Sequence, residues 1–247
     1  MKNLLLSAVL LTLPLLLGGC GEKEESVAEV KPELEGVENV ELRFREDIAY
    51  LKGSDTPYTG KFYELYPSGK RNWEGSQKDG KPDGLHRGWH ENGQKGEEVN
   101  FKDGKLDGLA FMWHENGQKE SEGNYRDGKP DGLHREWYEN GQKGVEENYK
   151  DGKLNGLLVA WFENGQKMSE GNYKDGIEEG PSVTWYKNAQ KRTEGNYKDG
   201  KPDGLRRGWH ENGQKKEEGN YKDGELISAK FWNNQGKPVS YKEVNKE

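Results

Sequence analysis

Three His-Glu pairs offer the first hint of chemistry in this chain: His90-Glu91, His114-Glu115 and His210-Glu211. An imidazole beside a carboxylate can move a proton near neutral pH, and both groups can ligate a metal. A second set of oxygen donors recurs in Asp103-Gly104-Lys105-Leu106-Asp107-Gly108 and its copies, as a calcium loop would require. Cys20 is the single cysteine of the 247 residues, so no disulfide can close within the chain.

The chain carries its own test of these candidates. Trp89, Trp113, Trp137, Trp161, Trp185 and Trp209 recur every 24 residues, and the phrase around each Trp recurs with it. A fixed period of that length is the mark of a repeat architecture. The slot that holds His90, His114 and His210 holds Tyr138, Phe162 and Tyr186 elsewhere. A slot that accepts Phe is filled for a flat, half-buried ring rather than for proton transfer. Adjacent residues of a strand also point to opposite faces, a poor geometry for a His/Glu dyad. In most copies of the Asp-Gly loop a Lys follows directly, which puts a positive charge where a cation would sit. No nucleophile motif and no phosphate-cradling Gly loop is present. The expectation is a non-enzyme with no catalytic residue, no metal site and no cofactor.

The elements follow from the punctuation. Asn-Gly recurs at 92–93, 116–117, 140–141, 164–165 and 212–213, and Asp-Gly at 79–80, 103–104, 127–128, 151–152, 175–176, 199–200 and 223–224. Both dipeptides favour type I′ hairpin turns. Two turns per repeat give two strands per repeat, so the expected fold is all-β. It is an elongated antiparallel β-meander of ~24-residue hairpin repeats in a single twisted sheet, with about 14–16 strands. Gly interrupts every window of the repeats and no apolar 3.6-residue period survives, which argues against helix there. Strand parity puts Leu109, Phe111 and Trp113 on one face, with matching sets around the other tryptophans. Successive tryptophans sit two strands apart, and Tyr125, Tyr149, Tyr173, Tyr197 and Tyr221 are candidates to fill the gaps. Simple counting from the Asn-Gly turns puts these tyrosines on the opposite face; one bulge per repeat would bring the two rows together. Both arrangements remain open at this point. The recurrent Gly84, Gly108, Gly132, Gly156, Gly180 and Gly204 mark strand starts, either as bulges or as room for a neighbouring ring. One repeat departs from the pattern, with Gly176-Ile177-Glu178-Glu179-Gly180-Pro181 in place of the usual loop and Ala189 in place of the turn glycine.

Composition bounds the partners. Hydrophobic residues make up 30% and charged residues 34%, too little apolar stock for a conventional two-layer core. The net charge of -7 is concentrated between Glu22 and Glu41, leaving repeats in which Lys and Glu interleave. Without a basic patch, nucleic-acid binding has no electrostatic footprint. Residues 1–19 read as an export signal, with Lys2 followed by the apolar run Leu4 to Leu17. Leu17-Gly18-Gly19-Cys20 resembles the bacterial lipoprotein signal, which implies lipid on Cys20, membrane attachment through that lipid and an extracytoplasmic place in the cell envelope. Gly21 implies the outer membrane if the envelope is Gram-negative. Several acyl chains suffice for stable anchoring.

The remaining organisation reads as an acidic tether over 20–36, an N-terminal capping hairpin over 37–54, the array over 55–224, and a C-terminal cap and tail over 225–247. The array's phrase, Tyr-x-Asp-Gly-Lys-x-x-Gly, then a Trp or Tyr strand and Asn-Gly-x-Lys, resembles the MORN repeat in its bacterial variant form, seen in antitoxin-like exported proteins. The resemblance covers roughly 55–240 and implies a protein–protein docking scaffold with an unknown protein partner. The tryptophan row, Trp89, Trp113, Trp137, Trp161, Trp185 and Trp209, is the candidate interaction surface. Two other readings are a cell-wall or glycan-binding module that uses that row, and an antitoxin- or immunity-like protein that binds an envelope effector.

Overall fold

The computed structural model describes residues 34–244. Cys20, the expected signal and most of the expected tether lie outside the described residues. Two kinds of turn govern the described residues. At each Asp-Gly hairpin both central residues have positive φ, as in Asp103 at 50° and Gly104 at 84°. This is the type I′ geometry, whose twist matches that of the flanking strands.

The Asn-Gly hairpins differ from the expected type I′ form. Gly93 has φ 90°, but Asn92 stays out of the positive region. The Gly93 amide bonds the His90 carbonyl at 2.8 Å, and the His90 amide bonds the Gln94 carbonyl at 2.8 Å. The loop is therefore a type I turn closed by a left-handed glycine. Asn92 favours it because its Oδ1 accepts from the Gln94 amide at 2.9 Å, the local side-chain turn that Asn forms readily.

This extra loop residue displaces the pairing by one, and a bulge directly after it restores the register. Trp89 pairs Lys95, and then Gly88 pairs Glu97, leaving Gly96 unpaired. The two offsets cancel, so the Tyr and Trp rows lie on opposite faces, as simple counting gives. A second irregularity follows each Asp-Gly turn. Phe101 pairs Leu106, but Val99 pairs Ala110, so the partner strand carries two extra residues there. Gly108 takes φ 107° at this point, which an L side chain resists. The recurrent strand-start glycines therefore mark a bulge.

The result is a 20-stranded sheet and a separate two-stranded hairpin. The count exceeds the expected one because Pro-Asp splits three strands, leaving Lys81–Pro82, Lys129–Pro130 and Lys201–Pro202 as short segments. Two more short segments line the edges. Val37–Glu38 pairs in parallel with Gly60–Leu65, and Pro238–Val239 pairs with Glu225–Trp232. Between these edges every long strand pairs antiparallel with its sequence neighbours.

The hairpin Leu42–Arg45 and Ile48–Leu51 docks on the first Asp-Gly turn. There the Ala49 amide bonds the Gly80 carbonyl, and the Gly80 amide bonds the Tyr58 carbonyl, both at 2.8 Å. Ala49 is fully buried by this contact. The divergent repeat keeps the architecture. Asp175-Gly176 retains the two positive φ values, Gly180 retains φ 92°, and Ala189 is forced to φ 65° where its counterparts are glycine.

Candidate docking surface

The sheet has two unlike faces. On the Tyr face, a transverse row runs Phe62, Gly75, His86, Val99, Ala110, Gly123, His134 through the cross-strand pairs. Large rings lie over glycines of the preceding strand. A Cβ on Gly75 would meet the His86 ring at 2.6 Å, and one on Gly123 would meet the His134 ring at 2.3 Å. His134 is sandwiched edge-on by Tyr125 and Tyr149 at 5.0 and 5.1 Å. His86, 2% exposed, sits between Phe62, Trp73 and Phe101. Burial holds the His86 imidazole below its ordinary pKa, against the opposing pull of the Ser76 hydrogen bond. Burial is also the main cause that lifts the Tyr149 hydroxyl to about 12, with its bond to Glu147 adding to it.

On the Trp face, the six expected residues form one row, and all are half-buried. The gaps between them are filled by lysines rather than by tyrosines. Lys143 Nζ lies 5.4 Å from the Trp161 ring, and Lys95, Lys119, Lys167 and Lys191 stand in the same relation to Trp113, Trp137, Trp185 and Trp209. Arg71 covers Trp89 at 5.0 Å. Ammonium groups over indole faces are attracted by the ring quadrupole. The bulge after the Asn-Gly turn turns each Lys onto this face.

Each Lys also holds a Glu three residues on, as Lys143 holds Glu146 at 2.9 Å. Arg135 then ties two repeats, donating to Glu146 at 2.9 Å and to Glu122 at 2.7 Å. Arg87 and Arg207 bridge the corresponding glutamates on either side. Lys119 first, and Arg135 after it, hold Glu122 below the usual carboxylate range; Lys143 and Arg135 do the same for Glu146. In the intervening repeats the Arg slot holds Phe111, Val159 and Val183. Outside this ladder runs a row of exposed leucines, Leu85, Leu109, Leu157 and Leu205, of which Leu109 is 53% exposed.

The residues first considered for chemistry serve the stacking of repeats. His90 Nε2 lies 2.6 Å from the Trp113 carbonyl, and His114 Nε2 lies 2.8 Å from that of Trp137. A carbonyl only accepts, so the ring must donate. Tyr138 and Tyr186 donate in the same way to Trp161 and Trp209, at 2.8 Å. The asparagine of each loop adds a second tie, as Asn92 Nδ2 donates to the Glu115 carbonyl at 2.7 Å. At the other end of the strands, Asp107 Oδ2 accepts from the Asp127 amide at 3.3 Å, and the Gly128 amide bonds the Leu106 carbonyl at 2.8 Å. No cluster of three or more His, Cys, Asp or Glu with metal-site geometry occurs among the described residues. Among them, no helix is long and apolar enough to cross a membrane.

Sequence reasoning missed the Lys-on-Trp ladder and the Asn ties between repeats. Both had a signal in the fixed offset of Lys and Asn from each Trp, but contacts reaching from one repeat to the next are invisible until the strands are stacked.

Five segments, residues 82–103, 106–127, 130–153, 154–175 and 202–223, match the MORN repeat variant family. The matched segments stop at 175 and resume at 202, passing over the repeat that carries Ile177 and Ala189. A comparison with curated proteins finds no match. The chain is thus a repeat protein that, over these five segments, is similar to the MORN repeat variant.

Proposed function

We propose that this protein is a non-enzymatic docking scaffold, held outside the cytoplasm by lipid on Cys20, that presents the Trp face of its sheet to a protein partner. The observation that carries the reading is the exposed leucine row, Leu85, Leu109, Leu157 and Leu205, on a face whose tryptophans are covered by Lys and Arg side chains. Leu85 and Leu109 stand two strands, roughly 10 Å, apart, and Leu109, Leu157 and Leu205 four strands, roughly 19 Å, apart; apolar side chains in register along a polar face mark an interaction surface. The His90 and His114 imidazoles and the Asp107 carboxylate are committed to inter-repeat hydrogen bonds. Protein docking is favoured over glycan stacking because a sugar would have to displace the lysine above each indole ring.

Two measurements test the two halves of this reading. Cell fractionation of Cys20→Ala should move the protein from the membrane to the soluble fraction; unchanged membrane retention overturns the anchor. Photo-crosslinking in intact cells from Leu109 on the Trp face, compared with Ser121 on the Tyr face, tests the surface. A discrete adduct from Leu109 alone supports docking there, and equal labelling from both positions overturns it.

A further inference from the structure

One glutamate on the Tyr face lacks the partner that its counterpart has. Glu97 and Glu217 occupy the same slot in different repeats, each opposite a glycine, Gly88 or Gly208. Glu217 is ion-paired to Arg206, one strand away. The slot that holds Arg206 holds His86 near Glu97, and His86 is turned toward the Ser76 carbonyl at 2.9 Å. Glu97 therefore has no hydrogen-bond or ion-pair partner among the described residues. Its carboxyl is half-buried, and burial raises its pKa.

The space beside it is shaped. A cavity of about 240 Å³ is lined by Trp73, Gly88, Glu97, Met112 and Glu120. Gly88 is its floor. A Cβ there would lie 2.5 Å from the Trp73 ring on one side and 3.5 Å from the Glu97 Cβ on the other. Trp73 stands one repeat earlier in the slot that holds Glu97 and Glu217, and the remaining repeats place Ser121, Val145, Ser169 and Thr193 there. No Lys or Arg lines the cavity. An indole wall, a carboxylate without a counter-ion and a glycine floor are the parts that receive an organic cation.

We propose that this cavity binds a guanidinium or ammonium group, supplied from outside in place of the arginine that Glu217 has within the chain. Trp89 and Trp113 of the Trp row also line this cavity, but its test reads a small cation rather than a protein adduct, so its failure and the failure of the docking reading are distinguishable. The cation can come from a basic side chain of a protein or from a small quaternary amine, and the two are separable.

The test is an NMR titration of the protein with acetyl-arginine amide, with tetramethylammonium and with acetyl-citrulline amide, the neutral isostere of the first. The Trp73 indole N–H and the Gly96 amide report binding. Saturable shifts with either cation and none with the citrulline compound support the site. Preference for acetyl-arginine amide identifies a side-chain source, and preference for tetramethylammonium a small amine. Glu97→Gln, which keeps the volume, should weaken binding at least about fivefold, and Trp73→Leu should weaken it as well. Unshifted indole signals from Trp161 and Trp185 show that either variant remains folded. Equal shifts with the citrulline compound, undiminished binding in Glu97→Gln, or no shift with either cation overturns the proposal.

Discussion

The two faces of this sheet do opposite jobs with neighbouring residues. Gly123 and Glu122 are adjacent, yet one lies under the His134 ring and the other in an ion ladder reached by Lys119 and Arg135. The Tyr face is held by close packing, where rings lie on bare backbone and volume is limiting. The Trp face is held by charge spread over half-exposed side chains, where no single pair weighs much. A single sheet with few apolar residues can thus be sealed on both sides. One side uses glycine to let rings lie flat, and the other uses lysine to cover indole.

Adding volume should expose the asymmetry most strongly. Gly123→Val should cost about 3 kcal/mol by overpacking against His134, whereas Glu122→Val next door should cost at most about 1 kcal/mol. Chemical-denaturation midpoints of the two variants compare them, and equal losses would remove the distinction between the faces. Removing volume is the next largest effect. Val99, 2% exposed, should lose about 2 kcal/mol on truncation to Ala through lost burial and the cavity left behind. This loss should persist in about 1 M salt, where charge pairs are screened. Arg135→Met should cost no more than about 1 kcal/mol after allowance for solvent screening, and its effect should shrink as salt rises. A loss that ignores salt would mean that Arg135 acts by packing.

The smallest effect is the response to acid, which should separate the faces by pH. His86 has a folded pKa below the ordinary 6.5. Above that value both folded and unfolded forms are neutral. Below it the unfolded chain gains the proton first, so the Tyr face loses stability as pH falls from about 6.5 to the folded pKa. Glu122 and Glu146 have folded pKa values below the ordinary 4.5. Their contribution is complete above 4.5 and is lost as pH falls through their folded values. Stability against pH should therefore decline in two windows. His86→Gln should remove the upper one, and Arg135→Met should diminish the lower one.

Much of this molecule is legible in its sequence. Asp103-Gly104 announces a type I′ turn because few other dipeptides tolerate two positive φ values, and the turn has that form. The alternation of Leu109, Phe111 and Trp113 announces a face. The replacement of His114 by Phe162 in the same slot shows that proton chemistry is not what the slot requires. Asn92-Gly93 misleads because the same dipeptide closes two kinds of loop, and the choice depends on which carbonyl the Gly93 amide can reach. The filling of the gaps between tryptophans is likewise hidden. The spacing offers Tyr125 for the gap beside Trp137, but a bulge at Glu120 turns Lys119 onto that face instead.

The sequence by itself determined the hairpin period, the positions of the turns and the segregation of residues onto faces, because these depend on local backbone preference and strand parity. The tertiary structure decided what each face does. Lys143 meets Trp161, His90 meets the Trp113 carbonyl, and Glu97 is left beside Trp73 without a cation. Each of these relations spans a turn or a whole repeat, so it exists only once register and bulges have brought distant residues to the same side of the sheet.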